Sequence, residues 1–380
     1  MPGRIQAFST EEFQSRLRKT QDEMRSRGID VLLLHAPENI YYLTGYQTSG
    51  YFAYQTLVVT ESAKEPTILV RYIERGNVDE YSWLSHDETW KEGDDVVQRT
   101  VDVILKVGGA NAVIGLEKSS WFLTAKVAEE LVGKLSTARF VDASYLVERI
   151  RHIKSPQELE YIRKAGLIAE AEIRTAIETM RRGATEAEVA AAVFQTGVSA
   201  GCEYTGLPHH IMSGHRAAVC HANWTNKPIV PRELVAIELY GCVERYHATQ
   251  VRTISMGEPS AESRRAAEVV IRAQDEALAA LKPGVSSRAV DALVRGPIRT
   301  IKPDYPNRSG YSTGIGFPPK TAEWETLDFN ETHDWEVKEG MAFHMLAVAG
   351  KHFGLSETVV ITANGAERVT PSNERALIII

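Results

Sequence analysis

Apolar residues first recur at helical spacing in Phe13, Leu17 and Met24, behind the capping box Ser9-Thr10-Glu11-Glu12 and ahead of Gly28. Residues 30–35, 56–60, 67–70 and 112–116 are short apolar runs that predict strands, and residues 97–107 and 123–135 predict helices. Strands alternating with helices predict an α/β first domain over residues 1–150. The joint is expected within residues 142–155. Ser155-Pro156-Gln157-Glu158 then opens a helix with an N-cap serine, a proline at the first helical position and a capping-box glutamate. Leu159, Ile162, Ala165, Ala169, Ile173 and Ile177 continue it, and Thr185-Glu186-Ala187-Glu188 caps another helix ending near Gly201. Helices are further expected over 261–281 and 286–301, and strands over 341–348, 357–362 and 377–380. Helices bracketing an antiparallel sheet make residues 151–380 an α+β domain.

Residues 235–253 read as two strands. Val235, Ile237 and Leu239 alternate with other residues, Val251 and Thr253 open a second β-rich run, and Gly241-Cys242 with the polar segment after it is expected to bend the chain. Glu238 sits inside the first apolar run. A carboxylate there needs a cation, a metal or hydrogen-bond donors. An ion pair with Arg245 or Arg252 accounts for it as well as a catalytic role does.

Composition narrows the classes. A chain of 380 residues is long for one domain, and 43% hydrophobic with 24% charged residues leaves ample core for a soluble protein. The net charge of −7, without a basic stripe, argues against nucleic acid or an anionic membrane as partner and is compatible with a small cationic or zwitterionic substrate. Cys202, Cys220 and Cys242 form no paired motif, which fits a reducing cytoplasm. No run is apolar enough for a membrane span, and the start of the chain lacks a secretory pattern.

Three places carry candidate chemistry. Residues 213–224 are polar, glycine-bearing and rich in histidine, and a histidine there is a candidate general base or a surface histidine, while His209 and His210 after Pro208 read more strongly as surface histidines. Glu357 opens a second apolar run, so Glu238 and Glu357 either share a pocket or form two separate ion pairs. No HExxH or zinc-cysteine spacing, nucleophile elbow, P-loop or dinucleotide fingerprint is present, and Gly314-Ile315-Gly316 reads as turn glycine.

Residues 151–158, Lys338-Glu339-Gly340-Met341 and Asn364-Gly365-Ala366-Glu367 are together similar, in order and spacing, to the pita-bread family of methionine aminopeptidases, prolidases and creatinases. The resemblance covers nearly the whole chain. It implies a creatinase-like first domain and a pita-bread catalytic domain. The family's metallopeptidases hold two metal ions on two Asp, one His and two Glu. Laid on this chain, those positions fall at Glu238, Thr249, Thr313, Leu346 and Glu357, so no metal and no cofactor is expected. Residues 237–247, 307–311, 317–319, 340–344 and 354–358 resemble the family's metal-free ectoine hydrolases, which open a cyclic amidine. The first-domain loop 44–52 and Ser312-Thr313 depart from that pattern.

The resemblance implies a metal-independent hydrolase acting on ectoine or 5-hydroxyectoine and giving an N-acetyl-2,4-diaminobutyrate-type product. Glu238, His221 and Glu357 would be catalytic. Tyr51, Phe52, Trp224, Tyr246, His247, Arg308 and His344 would bind substrate, with Arg252 an alternative to Arg308 for its carboxylate. Phe343 would exclude water or simply fill the core. A homodimer in the cytoplasm is expected. The alternatives are a creatinase-like enzyme acting on a linear guanidino compound, an Xaa-Pro peptidase-like protein with a degenerate metal site, and a non-catalytic binding protein.

Overall fold

Ser9 caps the first helix, α1 (Thr10–Ser26), where its Oγ accepts the Glu12 N–H at 3.3 Å. The computed structural model describes residues 4–180 and 184–380, so Met1-Pro2-Gly3 lies outside the described residues. The chain divides into two compact units, Met1–Arg151 and His152–Ile380.

The first unit continues with β1 (Val31–Leu34), α2 (Pro37–Thr44), β2 (Thr56–Thr60), β3 (Thr67–Arg71), α3 (Arg75–Tyr81), β4 (Asp87–Trp90), α4 (Val96–Lys106), β5 (Val113–Leu116), α5 (Ala125–Lys134), β6 (Arg139–Asp142) and α6 (Leu146–Arg151). Its six strands lie in the order β4-β3-β2-β1-β5-β6. The β1–β5 and β5–β6 pairs are parallel, as an α/β layer requires, and the β1–β2 and β2–β3 pairs are antiparallel. Leu33, Val58, Val101, Ile104, Ile114 and Leu131 form its core. Strands β4 and β6 escaped the sequence reading because their residues are only partly buried and charged. Helix α6 occupies what read as the joint.

In the second unit α7 (Pro156–Thr179) and α8 (Glu186–Ser199) each carry a complete capping box. They are followed by β7 (His210–Ser213), β8 (Leu234–Val243) and β9 (Tyr246–Ser255), then α9 (Ala261–Ala280) and α10 (Ser287–Arg299). Strands β10 (Gly310–Ser312), β11 (Asp328–Phe329), β12 (Ala342–Val348), β13 (Gly354–Thr362), β14 (Gly365–Arg368) and β15 (Ile378–Ile379) complete the unit. They form a four-stranded sheet, β15-β9-β8-β7, and a five-stranded sheet, β11-β10-β12-β13-β14. The whole is a pita-bread fold.

The β8–β9 turn lies in the polar segment expected to bend the chain, but Gly241-Cys242 takes no part in it. Glu244 and Arg245 adopt φ of 47° and 63°, the left-handed pair of a tight hairpin, and the ladder runs unbroken through Gly241 and Cys242. Gly241 serves a different need: a Cβ there would sit 1.9 Å from the Ala165 carbonyl of α7. Bare backbone lets helix and strand approach.

Alternation gives each sheet two faces. Val235, Ile237 and Leu239 pack with Ile173, Ala176 and Val193 of α7 and α8. Glu238 and Tyr240 therefore take the other face, with their registered partners His210, Val251 and Thr249. In the second sheet Phe343, Met345 and Val359 pack with Val270, Val294 and Ile298 of α9 and α10. Phe343 is thus core, seated on Phe329 and Trp335. The registered rows Tyr311–His344–Thr358 and Leu346–Ser356 take the opposite face.

Hydroxyl groups join the sheets. Ser356 Oγ accepts the Val251 N–H at 2.8 Å. Thr358 Oγ1 accepts the Thr249 N–H at 2.8 Å and donates to the Thr249 carbonyl at 2.9 Å. Since Ser356 and Thr358 point into this seam, Glu357 between them points away. Its Oε1 pairs with Arg252 Nη2 at 2.7 Å, and its Oε2 accepts from Thr370 Oγ1 at 2.6 Å and Gln250 Nε2 at 3.3 Å, all fully buried. Removing one partner of such a pair strands the other charge. Glu357→Ala should destabilise the protein by about 3–5 kcal/mol, and the matched change Glu357→Leu with Arg252→Met should recover much of it, read as thermal midpoints.

Candidate active site

The space between the two seam faces collects several of the second unit's uncommitted polar groups. Glu238 on β8 is half-buried and, among the described residues, has no ion-pair partner. Both arginines weighed as its partner are engaged elsewhere. Arg245 donates to the Gly316 and Tyr204 carbonyls, and Arg252 holds Glu357. Burial with no compensating cation pushes the Glu238 carboxyl up to about 7, and the nearby Tyr240 hydroxyl pulls it only part of the way back. That hydroxyl meets no partner at ordinary hydrogen-bond geometry.

His210 lies directly across from Glu238 in the β7–β8 ladder, so their side chains are same-face neighbours. Its ring is edge-on to Tyr240, with centroids 6.0 Å apart, and 5.6 Å from the ring of His221. His221 is exposed, at φ 57°. A non-glycine residue held there marks a backbone fixed by its surroundings. Buried Glu186, in the first turn of α8, does the fixing. Its Oε1 accepts from Ser213 N and Oγ at 2.8 and 2.9 Å, and its Oε2 from Thr225 N and Oγ1, both at 2.9 Å. One carboxylate thus clamps both ends of the segment that carries His221. Burial opposes its charge, but these four hydrogen bonds outweigh the cost and hold it below the usual carboxylate range. In the sequence Glu186 is only a helix-start acid. Neither Ser213 nor Thr225 signals this pairing locally.

The second sheet supplies Tyr311 and His344. His344 Nδ1 and Tyr311 Oη are 2.8 Å apart, and His344 Nε2 has no partner. Burial, helped by the charge of Arg308, pulls His344 down to about 3, so it is neutral. Burial and the charge of Glu238 push the Tyr311 phenol up, which places Glu238 and Tyr311 in one electrostatic neighbourhood. The Arg308 guanidinium lies 4.6 Å over the Tyr311 ring, half-buried and without a carboxylate partner among the described residues.

Other expected site residues are committed to structure. Glu357 shares no space with Glu238: it meets Gln250 and Arg252 on the far face of β9. Arg252 is consequently no anchor for a ligand. Tyr246 donates to Glu158 Oε1 at 2.7 Å, inside the core. His247 is locked between the Arg245 carbonyl at 2.9 Å and the Gly206 N–H at 3.0 Å, and burial pulls it down to about 3. Trp224 packs edge-on to Phe194 at 5.5 Å. Tyr51 and Phe52 belong to the first unit, where Tyr51 meets Phe122 edge-on and Phe52 is 80% exposed.

The five positions laid out above can be tested as metal ligands. Register pairs Leu346 with Ser356, so Ser356 and not Glu357 faces the shared space. The facing set is then Glu238, Thr249, Thr313, Leu346 and Ser356. The Thr313 hydroxyl donates to the His247 carbonyl at 3.1 Å, and Ser356 Oγ is taken by Val251. One carboxylate, three hydroxyls and a leucine do not fit a pair of divalent ions, which take several anionic or imidazole donors. No cluster of three or more metal-ligating side chains occurs among the described residues.

Comparison with known proteins agrees with this architecture. Residues 16–153 match the Creatinase/Prolidase N-terminal domain, and residues 160–363 match Metallopeptidase family M24. The chain is 29% identical to the ectoine hydrolase of Halomonas elongata, over 95% of each chain. It is also 29% identical to the Xaa-Pro dipeptidase of Pyrococcus furiosus, over 95% of this chain and 99% of that one. The crystal structure of dipeptidase PepE from Mycobacterium ulcerans superposes with a TM-score of 0.84 at 25% identity, covering 100% of both chains.

The raised carboxyl gives a stability test. A folded-state value near 7 against an ordinary 4.5 means the native protein keeps a proton that the unfolded chain releases. The stabilising contribution is whole below pH 4.5 and is lost as pH rises to about 7. Glu238→Gln cannot titrate, so its thermal midpoint should rise relative to the parent protein across that window and hold its lead above it.

Proposed function

From the premise that this chain belongs to Metallopeptidase family M24 and carries a Creatinase/Prolidase N-terminal domain, we propose that it hydrolyses a C–N bond of a cyclic amidine bearing a carboxylate, of the ectoine type, without a metal ion. The observation that carries this reading is Glu238: a solitary carboxylate among hydroxyls and a leucine, in a place whose donor set does not suit metal ions.

An amidinium is planar and cationic and donates in-plane N–H bonds, which a carboxylate accepts well. At 4 Å and an effective dielectric near 20 such a cation is worth about 4 kcal/mol to the charged form, so it would draw Glu238 back to its ionised state. Arg308, lacking a carboxylate of its own, suits the substrate carboxylate. His221 is the group to take a proton from the attacking water and pass it to the departing ring nitrogen. Water adds to the carbon between the two nitrogens, the tetrahedral adduct loses one C–N bond, and the ring opens to an N-acyl diamino acid. Glu238 stabilises the adduct or attacks the carbon first.

A peptidase reading has in its favour the equal identity to the Xaa-Pro dipeptidase and the superposition on dipeptidase PepE. Mass-spectrometric turnover of ectoine, 5-hydroxyectoine, creatine and an Xaa-Pro dipeptide by metal-stripped protein separates the readings. Ectoine-type turnover that survives EDTA supports the proposal. Dipeptide cleavage that returns only with manganese or zinc overturns it. Within the proposal, Glu238→Ala and His221→Ala should each lower kcat by about a hundredfold or more. The kcat/KM of the parent protein should rise through a pH of about 7 as free Glu238 ionises, a limb that Glu238→Gln should lack.

A further inference from the structure

The histidine beside Glu238 has one nitrogen spoken for and one left over. His210 Nδ1 is 3.3 Å from the Ala222 carbonyl. A carbonyl only accepts, so Nδ1 carries the proton and Nε2 is a bare lone pair. His210 is 2% exposed, and Nε2 has no hydrogen-bond partner. A buried acceptor without a donor is a standing cost to the fold. A purely structural histidine in a β-strand would have both nitrogens satisfied, as His247 does. Register puts this lone pair on the same face as the Glu238 carboxylate, one strand away.

We propose that His210 Nε2 accepts one N–H of the bound amidinium while Glu238 accepts the other, and that the bond from His210 Nδ1–H to Ala222 then fixes the segment carrying His221. The inference rests on the amidine reading and deepens it. Two adjacent acceptors on one face match two in-plane donors of a planar cation. They direct the carbon between its nitrogens toward the strand pair. Accepting a charged N–H at Nε2 polarises the imidazole and strengthens its Nδ1–H bond, because linked hydrogen bonds reinforce one another. Ala222 is the residue after His221, so occupancy of Nε2 is reported to the proton carrier through two bonds. His210 is a positioning residue here. Burial and the neighbouring His221 pull it down to about 4, so it stays neutral and does not compete with His221 for the proton.

Nitrogen NMR of the full-length protein labelled at histidine reads the claim directly, with the His210 resonances assigned by their loss in His210→Phe. The ligand-free protein should show the Nδ1–H tautomer at His210. Acetamidinium should shift Nε2 toward the hydrogen-bonded position. Tetramethylformamidinium, which has the same charge and no N–H, should not. Acetamidinium should bind at least about tenfold more tightly than the methylated cation, as one charged hydrogen bond warrants, and His210→Phe should shrink that preference to about threefold or less. His210→Gln, which offers an acceptor, should restore part of it. An Nε2–H tautomer, a silent Nε2 at saturating acetamidinium, or an undiminished preference in a folded His210→Phe overturns the inference. These readouts need no turnover. If the substrate panel is not hydrolysed but Nε2 responds, the amidine hydrolase reading fails and the acceptor role stands; turnover with a silent Nε2 gives the reverse.

Discussion

The seam between β9 and β13 governs which side chains of the second unit can meet. There the ladder of one sheet is continued into the other by hydroxyls: Ser356 and Thr358 take the N–H groups of Val251 and Thr249. Two residues apart on β13, they must point the same way, and Glu357 must point the other. The same parity on β8 and β9 puts Glu238, Tyr240, Val251 and Thr249 on one side and Gln250 and Arg252 on the other. A single-residue slip at this seam would exchange the contents of the site and the core. The buried Arg252–Glu357 pair helps to prevent one, since a slipped register would bury both charges without partners.

Against that rigid frame the segment from Ser213 to Thr225 is held by its ends. Glu186 binds both ends with four hydrogen bonds, and between them the chain passes through a short helical turn to His221. Among its contacts with the frame is His210, which donates to the Ala222 carbonyl and lies tilted against the ring of His221. The arrangement separates two tasks. A buried carboxylate on a helix sets where the segment starts and stops, and a neutral histidine on a strand sets the height of the residue that moves protons.

The fold was legible because periodicity and capping are local. Ser155-Pro156 and Thr185-Glu186-Ala187-Glu188 announce α7 and α8 by residue type alone, and both capping boxes form. Strands β4 and β6 carry too little apolar signal to be seen from local pattern. Gly241 was counted into the hairpin turn because it looks like a turn residue, whereas its missing side chain answers to Ala165, far away in sequence. Glu238 was legible as a candidate from its local setting and His221 only through the family resemblance, while Glu357 looked the same as Glu238 in one dimension. Only cross-strand register distinguishes a carboxylate facing hydroxyls from one facing an arginine. The roles of Glu186 and of His210, which reads as a surface histidine but is buried, were hidden for a related reason. Each acts through backbone groups of a distant segment, and backbone groups leave no mark in the residue pattern.

The charge count explains why a lone carboxylate is consequential. In a site for two divalent ions, several anionic ligands are mutually repulsive until the metal arrives, and none is free to do anything else. Here the facing positions hold threonine, threonine, leucine and serine beside Glu238, so repulsion between ligands is gone and so is the attraction for metal. What remains is one acid in a low-dielectric setting, with neutral imidazoles beside it and no basic partner among the described residues. Such a group stays protonated to near neutrality unless a cation comes to it. The cation must be modest in charge, because one carboxylate balances one positive charge, and it must bring its own N–H donors, because the free His210 nitrogen beside that carboxylate accepts. Arg308, with no carboxylate of its own, sets the further condition that this cation also carry an anion. A small zwitterion with a delocalised cationic end meets all of these conditions; a hydrated metal ion meets none of them.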